Sequence, residues 1–180
     1  MKTGLTATSE SKFIFGPGEV FINFDEEYGV GTPVGATRGD ATFNLGRVMR
    51  NIEVAGTMGP VKGLTKRETV TPTLQVQLME ITAANLKSVI AGAVEDEDGN
   101  IVGGEIAEDS YLDNVALVAE DSAGNDCILI LYNVLATSVE PVAFPGDRTE
   151  ALLNVTFTAH FDPSTPDEEP WKIIPVAEGS

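Results

Sequence analysis

Side chains suited to chemistry at neutral pH are scarce in this chain. Its 180 residues include one histidine, His160, and one cysteine, Cys127. Ser-His-Asp and Cys-His catalysis both require a histidine as base. His160 falls in the middle of an alternating run from Arg148 to Phe161, on its polar side. It therefore reads as a residue on the wet face of a strand. Cys127 opens the apolar run Cys-Ile-Leu-Ile-Leu, where a thiol packs as an inert core hydrophobe and not as an activated nucleophile. There is no Gly-x-Ser-x-Gly elbow, and a zinc site needs more His or Cys ligands than the chain has. The 28 Asp and Glu leave a paired acid and base open, but no spacing singles out a pair. The residues point away from an enzyme, with no catalytic residue, no metal ligand set and no cofactor.

Several short motifs imitate sites. Asp96-Glu97-Asp98-Gly99-Asn100 resembles the start of a calcium loop, but Ile101 stands where that loop needs glycine and Ala107 where it needs a bidentate glutamate. A hairpin or acidic surface turn is the better reading. Arg38-Gly39-Asp40 matches the adhesion tripeptide in letters and reads as a turn. Asn154-Val155-Thr156 matches a glycosylation sequon but lies inside a strand-like run. Gly29 to Gly35 is glycine-rich but has no following helix and no lysine to face a phosphate.

Bulk properties narrow the class further. With 42% hydrophobic residues the chain can bury a substantial core, and a lone cysteine excludes an intrachain disulfide. No apolar run approaches the roughly 18 residues of a membrane span, and Met1 to Thr8 has no signal-peptide core. A soluble protein made in the cytoplasm, without membrane binding of its own, is expected. Eleven Lys and Arg against 28 Asp and Glu give a net charge of −17. Nucleic-acid binders gain affinity by neutralising phosphates, so this chain repels a polyanion on average.

The elements that would position any functional surface are mostly strands. Phe13–Phe15 and Val20–Phe24 flank Gly16-Pro17-Gly18, as in a hairpin. Short extended pieces follow at Val34–Thr37, Ala41–Leu45 and around Ile52–Val54. The glycine-rich stretch Gly56 to Gly63 lacks periodicity and reads as a long exposed loop. From Glu68 to Glu80, Val70, Leu74, Val76 and Leu78 fall on one face, while Thr69, Thr71, Thr73, Gln75 and Gln77 fall on the other. Pro72 places part of this strand at an edge or bulge. Thr82 then caps a helix over Ala83–Ala91, with Leu86, Val89 and Ile90 on one side and Gly92 as its stop. Strands resume at Ile101–Val102, Val115–Ala119, Cys127–Tyr132, Val134–Val139 and Arg148–Phe161. The acidic tail, 162–180, is extended and docks through Trp171. The expected fold is mainly β, an antiparallel β-sandwich or barrel with one flanking α-helix. It forms a single domain over 1–180, with a flexible N-terminal arm at about 1–12.

The ordered series of segments resembles a known family. Val34-Gly35-Ala36-Thr37-Arg38-Gly39-Asp40-Ala41-Thr42-Phe43, and then Arg50 to Gly56 through Gly59-Pro60-Val61-Lys62-Gly63, look like the region that precedes the core sheet in tail tube (major tail) proteins of long-tailed bacteriophages. The Thr-rich strand Thr69 to Leu78, running into Thr82-Ala83-Ala84-Asn85-Leu86, continues the likeness. So does the close from Asn154 to Asp162 and on to Pro170-Trp171. The resemblance spans about Thr32 to Trp171. It implies a non-catalytic β-sandwich subunit that forms six-membered rings, stacked into a hollow tube through which DNA passes. Inner tubes of contractile tails and of type VI secretion are similar in fold. Implied partners are other copies of the chain, the tape-measure protein and DNA in the lumen without specific binding, and the tail terminator and tail-tip proteins. The implied location is the virion tail, after assembly in the bacterial cytoplasm.

In that role the polar faces of the two long strands would line the lumen, with Thr69, Thr71, Thr73, Gln75 and Gln77 as the candidates. Uncharged polar groups give DNA little to grip, and six copies would carry about −102 formal charges per ring. Ring-to-ring contact would fall to the Gly56–Lys66 loop, with Gly56, Met58, Pro60, Lys62 and Lys66 as candidates and Arg67 just beyond. The N-terminal arm and the C-terminal tail are further candidates. Rival readings are another virion ring component (tail terminator, neck or capsid decoration protein) and a non-catalytic β-sandwich binding module, for instance for carbohydrate. The latter usually presents a row of exposed aromatics.

Overall fold

The alternation of apolar and polar residues becomes pairing once each strand finds a neighbour. The computed structural model describes residues 18–139 and 150–176. Its strands are β1 (Glu19–Asp25), β2 (Val30–Pro33), β3 (Thr42–Asn44), β4 (Val48–Asn51), β5 (Thr65–Thr69), β6 (Thr73–Leu78), β7 (Ala93–Glu95), β8 (Ile101–Gly103), β9 (Leu112–Glu120), β10 (Asp126–Val139), β11 (Leu153–Ala159) and β12 (Trp171–Ile174). The helix is α1 (Ala83–Val89). The fold is mainly β and antiparallel with one flanking helix, as expected. One sheet runs β2-β1-β9-β10-β11-β6-β3, with β12 also paired to β10; β4–β5 and β7–β8 are separate two-stranded ribbons.

The spine of the sheet is β10, and its course depends on one residue. From Asp126 to Val134 it pairs with β9, and Ile128–Leu131 pair with β12 on the other edge. From Val134 onward β11 takes over. Asn133 between them has φ +49°, a conformation that asparagine tolerates better than most non-glycine residues. Leu129 and Leu131 face the main core before it, and Val134 and Ala136 face it after. The ladder to β9 keeps its register from Tyr132↔Asn114 to Val134↔Leu112, so both strands change parity together and β10 bends with no inserted residue. Its shift of register comes later, between Ala136 and Ser138 against β11. The sequence reading of two strands, Cys127–Tyr132 and Val134–Val139, is therefore corrected to one bent strand. The backbone N–H of His160 donates to the carbonyls of Tyr132 and Asn133 and holds the bend.

Because β10 serves both halves of the sheet, the two halves share one core. Val20, Ile22, Val115, Leu129 and Leu131 from one half join Leu74, Val76, Leu78, Leu153, Val155 and Phe157 from the other. Burying each of these is worth about 1.5–3 kcal/mol. Val89 is buried in the same cluster, with Leu86 and Ile90 packed against it, so the apolar side read for the helix is the side it buries. The Thr82 hydroxyl accepts from the Asn85 N–H at 3.2 Å. The helix ends at Val89 instead of Ala91, with Ile90 extended and Gly92 at φ +72°.

The opposite face of the β1–β9–β10 region holds a smaller cluster of Phe24, Ala116 and Ile130. Phe24 reaches it because Asn23 (φ +52°) bulges β1. There the Asn114 side chain accepts from the Phe24 N–H at 2.7 Å and donates to its carbonyl at 3.1 Å, replacing the interrupted ladder.

Several expectations shift. Ile52–Val54 is not a strand; Val48–Asn51 is. β2 ends at Pro33, and Thr37 makes only an isolated bridge to Leu78. The Glu68–Glu80 strand breaks at Val70–Pro72 into β5 and β6, since Pro72 has no N–H for the ladder. Of the Arg148–Phe161 run, Arg148 and Thr149 lie outside the described residues and β11 covers Leu153–Ala159, so His160 lies past the strand's end. Cys127 is half-buried near the outer end of β10, not in the core. Phe13–Phe15, the N-terminal arm 1–12 and residues 177–180 of the tail lie outside the described residues. Among those described, no helix is long and apolar enough to cross a membrane.

Candidate assembly surfaces

The groups suited to chemistry are occupied structurally. The His160 ring stacks edge-on against Tyr111 at 5.1 Å, and its Nδ1 lies 3.2 Å from the Asn133 carbonyl, which fits a ring N–H donating there. Asp96 closes the β7–β8 hairpin by accepting from the N–H groups of Asp98 and Asn100 at 3.0 and 2.8 Å, so the turn reading of that segment holds. Asp121 repeats the device with Ala123 and Asn125, both at 2.8 Å. The backbone N–H of Asn100 and of Asn125 respectively leads in holding each carboxyl below its usual range. Asp-x-x-Gly-Asn occurs at both turns, a signal available in the sequence but read only at the first. Arg38 at the Arg-Gly-Asp turn pairs with Glu150 at 2.8 Å.

The first extended surface is a polar wall. Each apolar residue of β6 points to the core, so Thr73, Gln75 and Gln77 point away from it. Sheet register adds neighbours from both sides: Asn154, Thr156 and Thr158 of β11 stand opposite Gln77, Gln75 and Thr73, and Thr42 and Asn44 of β3 stand opposite Gln75 and Thr73. Not one of these side chains is charged. Thr158 is buried, its hydroxyl 2.6 Å from that of Thr137. Asp40 lines the same shallow groove and brings the first charge to it. Of the expected lumen set, Thr73, Gln75 and Gln77 come together. Thr69 sits on β5 and Thr71 in the break, so both are exposed but belong to a different element. Thr42 and Asn44 were missed because a three-residue strand carries too little alternation to show which face it presents.

The second surface is the ribbon from β4 to β5. Val48, Met49, Ile52, Val54, Met58 and Val61 are all exposed, Met58 completely. Leu64 alone in this span is half-buried. The ribbon is held by its ladder, by Ile52 N–H to Leu64 carbonyl at 3.0 Å and by the Thr65 hydroxyl to Asn51 at 2.6 Å. A two-stranded ribbon without a core is marginal in water, and apolar patches of this kind mark interaction sites. Gly56, Met58, Pro60 and Lys62 fall in its long connection and Lys66 on β5, all exposed. Among the described residues neither Lys62 nor Lys66 makes an ion pair.

Arg67, expected to be available to a neighbour, is instead used inside the chain. It pairs with Glu169 at 2.5 Å, and Arg47 at the other root of the ribbon reaches the same carboxylate at 2.8 Å. The Trp171 indole N–H donates to Glu169 at 2.6 Å, and the Trp171 ring lies 6.2 Å from Phe43. The indole N–H, then the two guanidiniums, lower the Glu169 carboxyl to about 2. The tail thus docks by its tryptophan as expected, and Glu169 ties it to both strands of the ribbon. At the same root, a Cβ on Gly46 (φ +56°) would lie 2.4 Å from the Thr71 carbonyl oxygen. On β12, Lys172 and the Tyr132 hydroxyl both engage Glu26, joining the tail to the β1–β2 turn. These long-range pairs left no trace in local sequence pattern.

No protein-family model and no curated protein matches this sequence.

Proposed function

We propose that the chain is a tail tube protein, a structural virion subunit that polymerises as stacked hexameric rings into the hollow conduit for DNA ejection. The observation that carries this reading is the exposed apolar ribbon Val48–Thr69. Among the described residues nothing covers it, and a neighbouring ring would. The uncharged wall of β3, β6 and β11 supports a lumen lining, and the net charge of −17 supports a bore to which DNA does not stick. The subunit acts through surfaces and not as an enzyme.

The test is negative-stain electron microscopy of concentrated protein, alongside its mass in solution. Hollow tubes or stacked rings with a central channel are expected. Met58→Asp with Val61→Asp should abolish stacking while leaving the subunit's thermal melt unchanged. Discrete rings that never stack would move the assignment to a terminator or neck protein, and stacking indifferent to both substitutions would remove the ribbon from it.

A further inference from the structure

The ribbon has a counterpart on the same chain. Residues 47–69 hold five of the eleven Lys and Arg against two Glu, a local net charge of +3 in a chain of −17. Residues 93–109, the β7–β8 hairpin and its exit to the 3₁₀ turn Glu108–Ser110, hold seven Asp and Glu and no cation. Both regions expose apolar side chains. On the hairpin these are Val94, Val102 and Ile106, at 47%, 42% and 58% exposure. The hairpin is a separate two-stranded sheet, backed on one side by α1. Gly104 donates to the Gly92 carbonyl at 2.8 Å, and a Cβ on Gly104 would fall 2.8 Å from that oxygen. The hairpin is thereby seated firmly against the helix terminus while its valines face outward.

We propose that the β7–β8 hairpin is the docking surface for the β4–β5 ribbon of a second copy of this chain. Val94, Val102 and Ile106 cover apolar side chains of the ribbon. Arg50, Lys62 and Lys66, the ribbon cations that Glu169 does not hold, face Glu97 and Glu105; Glu95, next to Val94 on β7, points to the other face of the hairpin. Charge complementarity selects this face over the rest of the surface, since carboxylates are densest here and uninterrupted by cations. Such a contact joins two different patches; made once per pair of subunits it is heterologous and continues into a ring or an open filament. The assignment rests on the ribbon being an assembly element, as proposed above, and adds its receptor.

The test is a charge swap in the full-length chain, read as the association constant by sedimentation across concentration at low and high salt. Circular dichroism and melting of each variant confirm folding. Lys62→Glu with Lys66→Glu, and separately Glu97→Lys with Glu105→Lys, should each weaken association about tenfold or more at low salt. Combining all four in one chain restores opposite charge at the contact and should bring association back to within about threefold of the parent. Salt should weaken the parent and the combined variant alike. A folded acidic-face variant that associates like the parent would overturn the pairing while leaving the ribbon as an assembly element. Head-to-tail association that obeys the swap but never yields a hollow tube would keep the pairing and remove the tube. A parent chain that stays monomeric at every concentration and salt would overturn the pairing.

Discussion

Glu169 offers a quantitative test of how the tail holds the root of the ribbon. Replacing it with Gln keeps an amide oxygen for the Trp171 indole and removes the charge that faces Arg47 and Arg67. Its carboxyl lies at about 2 in the folded chain against an ordinary 4.5. Each unit of such a difference corresponds to about 1.36 kcal/mol, which sets a ceiling of about 3.4 kcal/mol. The Arg47 and Arg67 side chains are 37% and 40% exposed, so solvent screens the pairs and about 1–2 kcal/mol is the realistic contribution. Because the folded value is depressed, the stability is fully present above about pH 4.5 and is lost as pH falls through about 2. Thermal melts of parent and Glu169→Gln across pH 2.5–7 should differ by about 3–6 °C at pH 7. The gap should narrow steadily below pH 4.5. A gap that is absent at neutral pH, or that keeps its full size at pH 2.5, would refute the carboxylate clamp.

Other perturbations probe the core and the bends. Phe157 is fully buried in the shared core, so Phe157→Ala should cost about 3–5 kcal/mol in denaturant unfolding. Asn133→Ala should destabilise by about 1–2 kcal/mol more than Asn133→Gly, because alanine resists the positive φ that bends β10. Equilibrium denaturation of the pair checks this. Thr82→Ala removes the hydroxyl that caps α1 and should lower stability by about 1 kcal/mol, seen as a shifted denaturant midpoint with unchanged slope.

Much of the architecture was already legible in local pattern. Period-2 alternation over Thr73–Leu78 and Leu153–Ala159 identified inward and outward faces correctly, because a strand with one wet face can satisfy water and core only in that way. The Thr82 cap, the exposed Gly56–Gly63 connection and the Asp96 turn were legible for the same reason: each is decided by residues a few positions apart. The acidity and the scarcity of His and Cys, which steer the functional reading away from catalysis, are likewise properties of composition.

Tertiary structure alone decided what depends on distant partners. Alternation signals a strand but not its neighbour, so only folding shows that β10 bends at Asn133 to serve both halves of the sheet. Only folding brings Thr42 and Asn44 beside Gln75 and Thr73, completing a wall free of charge. Arg67 looked free until Glu169, 102 residues away, was found to hold it together with Arg47. A charge declares its sign in sequence, but whether it is paired within the chain or left for a second copy is set by three-dimensional proximity. The ribbon and the acidic hairpin therefore emerge as surfaces only after the core has claimed everything else.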